Sequence, residues 1–319
     1  MLVLRFLAFA FFVAPGLAAA QAPSYPTKPV RIVTSGPGAS MDLVARVVAD
    51  GLGPNLGQSV IVENRDGAGG IIAGDLVAKA APDGYTLLTY TTAMVILPFL
   101  RKNVPFDPVR DLSPITLATS SPNIIVVHPS VPVNSVQDLI ALAKAKPRTL
   151  NYSSAGTGSS THLSAELFKS LAEIDMVHIL YKSTAPAMND LISGQVQVSI
   201  PSASTSMPHV KAGRLKALAV TSALTSSLAP GLPTVASSGV PGYESELLVG
   251  LWAPGKTPSA LISRLNTEIV RVLNQPAAKA RLLTGAEIVG SSPDQFSQVI
   301  ERERSRLGKV IREAGISAE

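Results

Sequence analysis

Cysteine is absent from the sequence, and aromatic and charged residues are sparse. None of the 319 residues is Cys, 5% are aromatic and 15% are charged. We therefore expect no disulfides, no thiol nucleophile, no thiolate-bound metal and no lipid anchor on an N-terminal Cys. Because the basic residues do not cluster, a nucleic-acid partner is not expected either. The hydrophobic fraction of 46% is ample for a folded core.

The N-terminus has the pattern of a secretory signal peptide over residues 1–20. Arg5 supplies a positive charge, residues 6–17 are mostly apolar, and residues 18–20 form a small-residue cleavage site. A membrane anchor is the alternative, but the run is shorter than the roughly 20 apolar residues that a spanning helix needs. We predict cleavage after Ala20 and a mature protein that is soluble in the periplasm.

Short β-branched runs alternate with helical patterns along most of the chain. This βαβ alternation predicts an α/β fold of mainly parallel sheets flanked by helices. Ser40 is expected to begin the first helix, and Asn123 stands near the start of a second series of strands. The predicted strands cover residues 30–33, 60–63, 85–90, 124–127, 150–153, 177–181, 195–200 and 215–221, and the predicted helices include 71–80, 136–144, 259–283 and 293–314.

The two C-terminal helices have no strand series of their own, and we expect them to pack on the first series. The chain would then form two lobes, lobe 1 from 26–123 plus 230–319 and lobe 2 from 124–229. Two chain crossings between lobes form a hinge, and the cleft between them is the natural ligand site.

Two loops of small residues occupy equivalent places in the two lobes, each between a strand and a helix. A helix N-terminus offers unpaired N–H groups and about half a positive charge, and small residues let a ligand approach them. Each loop alone is equally well explained as an ordinary turn with a Ser cap. As a facing pair they would suit one or two carboxylates. The loops contain Ser35, Gly36, Pro37, Gly38, Ala39 and Ser40, and Ser154, Gly156, Thr157, Gly158, Ser159 and Ser160.

Three further residues are candidates for ligand contact. His162, in the first turn after the second loop, would either donate to a ligand or serve structurally at the helix start. Tyr181 and Lys182 follow a strand at its carboxyl end, where α/β proteins usually bind ligands, although a solvated lysine is the commoner case. No metal-binding His spacing and no nucleotide-binding or nucleophile-elbow motif is present. We predict no metal and no cofactor.

The chain resembles the receptors of tripartite tricarboxylate transporters, the Bug family of periplasmic binding proteins. The resemblance covers essentially the whole mature chain, with many motifs in the family's order. They include YPTKPVRIV at 25–33, VENRDGAGG at 62–70, AAPDGYTL at 80–87, NYSSAGTGS at 151–159 and THL at 161–163.

The resemblance implies a two-lobed, type II Venus-flytrap fold that binds a di- or tricarboxylate or an aromatic acid without chemistry. It implies that backbone groups of the two loops recognise the ligand, often through water. It also implies a separately encoded membrane transporter as the partner. We expect the receptor to be a monomer. Met41 adds apolar volume beside the first loop, and Thr91 and Thr92 belong to a loop that lacks the family's common Gly and His. Before Ser202, Pro201 stands where relatives often keep an Asp, which disfavours a ligand with an amine.

Two other functions stay open on the sequence. One is a secreted serine hydrolase that uses Ser159 or Ser40 with His162, which would need an orienting carboxylate and an oxyanion hole. The other is a receptor that delivers its ligand to the sensor domain of a histidine kinase. Failure to hydrolyse esters, together with closure on ligand binding, would separate the receptor from the hydrolase.

Overall fold

Two mixed β-sheets flanked by helices form the protein, in a computed structural model that describes residues 25–38 and 40–318. The predicted signal peptide, its cleavage site and Ala39 lie outside these residues. The strands are β1 (Val30–Thr34), β2 (Val60–Asn64), β3 (Thr86–Thr91), β4 (Leu112–Pro122), β5 (Ile124–Val127), β6 (Asn151–Ser154), β7 (Val177–Leu180), β8 (Val198–Ser199), β9 (Lys216–Val220), β10 (Glu246–Pro254) and β11 (Glu287–Ile288).

Helices cover both sheets and carry their apolar residues inward. In the first helix, for example, Val44, Val48 and Leu52 are buried on one face. The helices are α1 (Ser40–Leu56), α2 (Ile71–Ala78), α3 (Leu97–Leu100), α4 (Val136–Ala145), α5 (Ser160–Ala172), α6 (Thr184–Ile192), α7 (Ala203–Lys211), α8 (Ser259–Leu273), α9 (Pro276–Leu282) and α10 (Pro293–Glu313).

The α/β two-lobed class is confirmed, but the sheets are mixed rather than mainly parallel. The first sheet has the order β11-β4-β10-β3-β1-β2, and the second has β7-β6-β8-β5-β9. In the first sheet β1 runs parallel to β2 and β3, whereas β10 lies antiparallel between β3 and β4. In the second, β6 is parallel to its neighbours and β5 is antiparallel to β8 and β9.

The last helical region differs from its predicted form. Residues 259–283 were expected to form one helix, but α8 ends at Leu273 and α9 begins at Pro276. Proline has no N–H to donate and its ring clashes with the preceding turn, so it is favoured in the first turn of a helix and disfavoured in the interior. The predicted strand at 195–200 is reduced to the two residues of β8.

The segment before β10 packs on the second sheet. Val235, Val240 and Tyr243 lie in the same buried cluster as Tyr152 and Phe168. The Tyr243 hydroxyl donates to the backbone oxygen of Ser164 at 3.0 Å, on α5. We therefore propose that the second chain crossing lies near Ser245 rather than near residue 230; the lobe boundaries remain a prediction.

Candidate functional site

A cavity of about 390 Å³ lies between the two sheets, and we call it the interlobe cavity. Its walls come from β3 and the turn after it, from the loop before α5, from the start of β10 and from α10. Its lining residues include Tyr90, Thr91, Thr92, Ile96, Leu97, Leu100 and Arg101 on one side, Gly156, Thr157, Gly158, Ser159, Ser160 and Leu163 on the other, and Met41, Glu246, Leu248, Glu303 and Leu307.

The loop between β6 and α5 presents backbone donors to this cavity. Ser159 caps α5, because its hydroxyl accepts from the His162 N–H at 3.3 Å. Among the described residues, the N–H groups of Gly156 and Thr157 have no acceptor. Free N–H groups beside a helix N-terminus provide a partial positive charge, and the arrangement can hold an anion.

Two glycines give this loop its shape. Gly156 has a φ of 138° and Gly158 a φ of 75°, backbone conformations that residues with a Cβ rarely adopt. A Cβ on Gly158 would lie 2.7 Å from the Leu100 Cδ1, which belongs to the opposite wall. The absence of a side chain at this position therefore allows the two walls to approach each other.

His162 lies behind the loop and not in the cavity wall. Its Nδ1 accepts a hydrogen bond from the Gly158 N–H at 3.1 Å, which places the ring proton on Nε2. The ring stacks on His178, with centroids 4.2 Å apart, and His178 stacks in turn on Tyr152. Burial, together with the neighbouring His178, lowers the pKa of His162 to about 4. His162 is thus a neutral support for the loop, which is the structural alternative that the sequence left open.

The loop between β1 and α1 is organised by Asp42. This carboxylate accepts from the Gly38 N–H at 3.0 Å, from Arg46 Nε at 3.0 Å and from Asn64 Nδ2 at 2.7 Å. Burial by itself would raise the pKa of Asp42, but these hydrogen bonds outweigh it and hold the pKa below its usual range. The Ser35 hydroxyl is buried without a partner among the described residues.

The first loop borders a second and smaller cavity. Gly38 and Ser40 line a space of about 210 Å³ together with Ser121, Ser204 and Gly285, while Met41 faces the interlobe cavity. The two predicted loops therefore open onto neighbouring cavities of one cleft and do not share a single wall.

Eight of the predicted site residues line the interlobe cavity: Met41, Thr91, Thr92, Gly156, Thr157, Gly158, Ser159 and Ser160. Gly38 and Ser40 line the smaller cavity. Eight others line neither of these two: Ser35, Gly36, Pro37, Ser154, His162, Tyr181, Lys182 and Ser202. Tyr181 donates to Asp190 at 2.6 Å, and Lys182 is exposed.

Sequence patterns missed three charged residues of the interlobe cavity, Arg101, Glu246 and Glu303. Glu303 pairs with Arg306 on α10, and burial raises the pKa of its carboxyl. Burial likewise raises the pKa of Glu246, against its hydrogen bond with Ser120. The only sequence signal for Glu303 is a helical spacing that places it four residues before Leu307 on one face.

The Ser–His pair required by a hydrolase is not formed between Ser159 and His162. The Ser159 hydroxyl donates to the Gly156 backbone oxygen at 2.7 Å, and the His162 Nδ1 is occupied by Gly158. Within the described part of the chain, no three His, Asp or Glu side chains are grouped as metal ligands. The interlobe cavity is lined by backbone donors, apolar side chains and the charged residues Arg101, Glu246 and Glu303.

Two lobes with a cavity between them, and free backbone donors at its edge, define the class of two-lobed solute-binding proteins. The chain belongs to the tripartite tricarboxylate transporter family of receptors, whose sequence model matches residues 44–316. Members of this family are periplasmic substrate-binding receptors. Across the described residues, no helix combines the length and apolarity needed to cross a bilayer.

Relatives of known sequence or structure cover nearly the whole chain. Protein BugT of Bordetella pertussis is 36% identical over 310 residues, 96% of this chain and 95% of that protein. The structure of R. palustris Rpa4515 with adipate is 36% identical, with a TM-score of 0.77, covering 92% of this chain and 99% of that one. The structure of MatC from Rhodopseudomonas palustris with bound malate is 28% identical, with a TM-score of 0.74, covering 90% and 100%.

Proposed function

We propose that this receptor captures a small carboxylate in the interlobe cavity and delivers it to the membrane subunits of a tripartite tricarboxylate-type transporter. The observation that best supports this proposal is the pair of free N–H groups, on Gly156 and Thr157, at the N-terminus of α5. A carboxylate placed there would receive charge-assisted hydrogen bonds, which are stronger than neutral ones. Thr91 and Thr92, whose hydroxyls are further polar groups, line the same cavity.

The volume of the cavity fits a small ligand. About 390 Å³ is roughly thirteen times the ~30 Å³ that a water molecule occupies in the liquid. That is room for a ligand of about a dozen non-hydrogen atoms, near the lower end of the range for small-molecule sites. Two relatives were solved with carboxylates of this size, adipate and malate, which supports the same class of ligand here.

A thermal-shift screen of the purified protein against a carboxylate panel tests the proposal. The panel contains succinate, adipate, malate, citrate, benzoate, aspartate and glutamate. A ligand present at about 100 times its Kd stabilises the folded state by about 2.7 kcal/mol, which is readily measured. We expect at least one amine-free acid to stabilise the protein more than aspartate or glutamate. If no acid shifts the midpoint, the carboxylate assignment is wrong; if only the two amino acids do, the amine-free preference is wrong.

Closure of the lobes on the ligand is the second test. Small-angle scattering with and without the best acid of the panel should show a smaller radius of gyration in the bound state, because a cleft that closes makes the molecule more compact. An ester panel serves as the control for the hydrolase alternative, and turnover of any ester by the purified protein would support that alternative instead.

A further inference from the structure

Arg101 is the single basic residue that lines the interlobe cavity within the described chain, and its charge is uncompensated there. Arg101 forms no ion pair with any described carboxylate. The two acidic residues of the wall already have other partners, Arg306 for Glu303 and Ser120 for Glu246. Burial also raises the pKa of both acids. Arg101 is itself half-buried and lines the cavity, so its charge is available to an anionic ligand.

Arg101 lines the same cavity as the loop before α5 and is next in sequence to a residue that contacts this loop. Arg101 directly follows Leu100, the last residue of α3. Leu100 in turn packs against Gly158, since its Cδ1 lies 2.7 Å from where a Cβ on that glycine would be. Two separate positive features thus border one cavity, the N-terminus of α5 and the Arg101 guanidinium.

Much of the remaining wall of the cavity is apolar. Ile96, Leu97 and Leu163 line the cavity, and Leu248 and Leu307 continue the same surface. Such a surface favours methylene groups over polar ones, at roughly 0.8 kcal/mol for each buried CH₂. The cavity therefore has two places for negative charge and a hydrophobic surface in the same wall.

We propose that Arg101 binds a second carboxylate of the ligand and makes this receptor selective for aliphatic dicarboxylates over monocarboxylates. One carboxylate accepts from the N–H groups of Gly156 and Thr157, the methylene chain lies on the apolar wall, and the other carboxylate accepts from the planar guanidinium fork. This inference rests on the proposed function, because it concerns the same cavity and the same class of ligand. It adds a charged side chain to recognition by backbone N–H groups and hydroxyls.

The test compares two acids that differ by one carboxylate, adipate and hexanoate, both with six carbons. Isothermal titration calorimetry gives the Kd of each for the wild type, Arg101→Gln and Arg101→Lys. Arg304→Gln is the matched control, because Arg304 is exposed on α10, stacks on Phe99 and lines neither interlobe space. Circular dichroism and thermal unfolding without ligand establish that each variant is folded.

We expect Arg101→Gln to lose affinity for adipate but not for hexanoate. The wild type should bind adipate about tenfold more tightly than hexanoate or better, as the loss of a charged hydrogen bond predicts. Arg101→Gln should lower the adipate affinity to that of hexanoate and leave hexanoate unchanged. Arg101→Lys should be intermediate, because it keeps the charge and loses the fork, and Arg304→Gln should alter neither acid.

Two results separate this inference from the function on which it rests. If the wild type binds hexanoate as tightly as adipate, or if Arg101→Gln weakens both acids equally, Arg101 does not hold a second carboxylate and the carboxylate receptor stands. If neither acid nor any other carboxylate of the panel binds the wild type, both the proposed function and this inference are wrong.

Discussion

His162 shows how one residue supports a binding loop without facing the ligand cavity. Its Nδ1 accepts a hydrogen bond from the Gly158 N–H, and its ring stacks on His178. The neighbouring titratable groups that influence its pKa are His178, Glu166 and Lys169. Protonation of Nδ1 would replace this acceptor by a donor and break the hydrogen bond. The shape of the loop therefore depends on a histidine that stays neutral.

The pH dependence of stability follows from the lowered pKa of His162. In the unfolded chain a histidine takes up its proton near pH 6.5, whereas folded His162 resists it down to about pH 4. The unfolded state thus binds more protons within that window, and the free energy of unfolding falls as the pH is lowered through it. We expect His162→Asn, whose amide oxygen can still accept from Gly158, to show a smaller fall.

Urea unfolding at about pH 7 and at about pH 5 measures this difference. The fluorescence of Trp252, the one tryptophan of the chain, reports the transition. The carboxylates contribute equally to both proteins, so the comparison isolates the histidine. An identical fall in both proteins would contradict the role assigned to His162.

A second residue-scale prediction concerns Gly158. Gly158→Ala should weaken ligand binding as well as stability, because the new Cβ meets Leu100 and holds the two walls apart. Gly242→Ala is the control, since Gly242 has a similar φ of 79° with open space where a Cβ would lie. Both changes cost about 1 kcal/mol in backbone strain. Calorimetry with the best carboxylate should show a loss of affinity for Gly158→Ala only; equal affinities would contradict a tight fit at this position.

At the scale of elements, β10 and α10 connect the cavity to the rest of the fold. Strand β10 lies at the centre of the first sheet, and its first residues line the interlobe cavity. Helix α10 contributes Glu303 and Leu307 to the same wall. Gly250 on β10 makes this packing possible, because a Cβ there would lie 2.1 Å from the ring of Phe296.

The N-terminus of α10 is fixed by a capping box. The Ser292 hydroxyl accepts from the Gln295 N–H, and the Gln295 side chain accepts from the Ser292 N–H. We expect Ser292→Ala to lower the free energy of unfolding by about 1 kcal/mol. Ser305→Ala, at an exposed site within the same helix, should have almost no effect. Urea denaturation of both variants checks this, and equal losses would mean that the cap does not stabilise α10.

At the scale of the whole molecule, the two sheets do not have separate cores. Leu163 of α5, beside the second sheet, lies in a buried cluster with Trp252 and Phe296 of the first. Conversely, Val310 of α10 lies in the cluster that contains Tyr152 and Phe168. Packing that is shared in this way opposes full separation of the two sheets.

Shared packing predicts one cooperative unfolding transition. In urea, the fluorescence of Trp252, which reports on the first sheet, should change together with the far-ultraviolet circular dichroism of the whole chain. Leu163→Ala should lower both midpoints together, because the cavity it leaves destabilises both lobes. Two separated midpoints in the wild type would show that the lobes unfold independently.

Particular elements show how far sequence patterns predicted the fold and the site. The runs at β1, β2, β5 and β6 are short, β-branched and bounded by turn residues, so local pattern located them to within a residue or two. Strand β10 was missed because seven of its nine residues are buried, which removes the alternation that marks a half-exposed strand. Loop residues 156–160 were predicted as a site from their strand–glycine–helix pattern, and they line the interlobe cavity.

The sequence by itself determined much of the local structure of this protein: where strands such as β1, β2, β5 and β6 lie, where glycine permits a turn, and the family to which the chain belongs. Only the tertiary structure decided that His162 supports a loop from behind, that the Asp42 carboxylate holds the other loop, and that Arg101 lines the cavity without an ion-pair partner among the described residues. The physical reason is distance along the chain. Helix caps and turns depend on neighbours a few residues away, whereas the cavity wall joins residues from β3, α5, β10 and α10, which only the packed fold brings together.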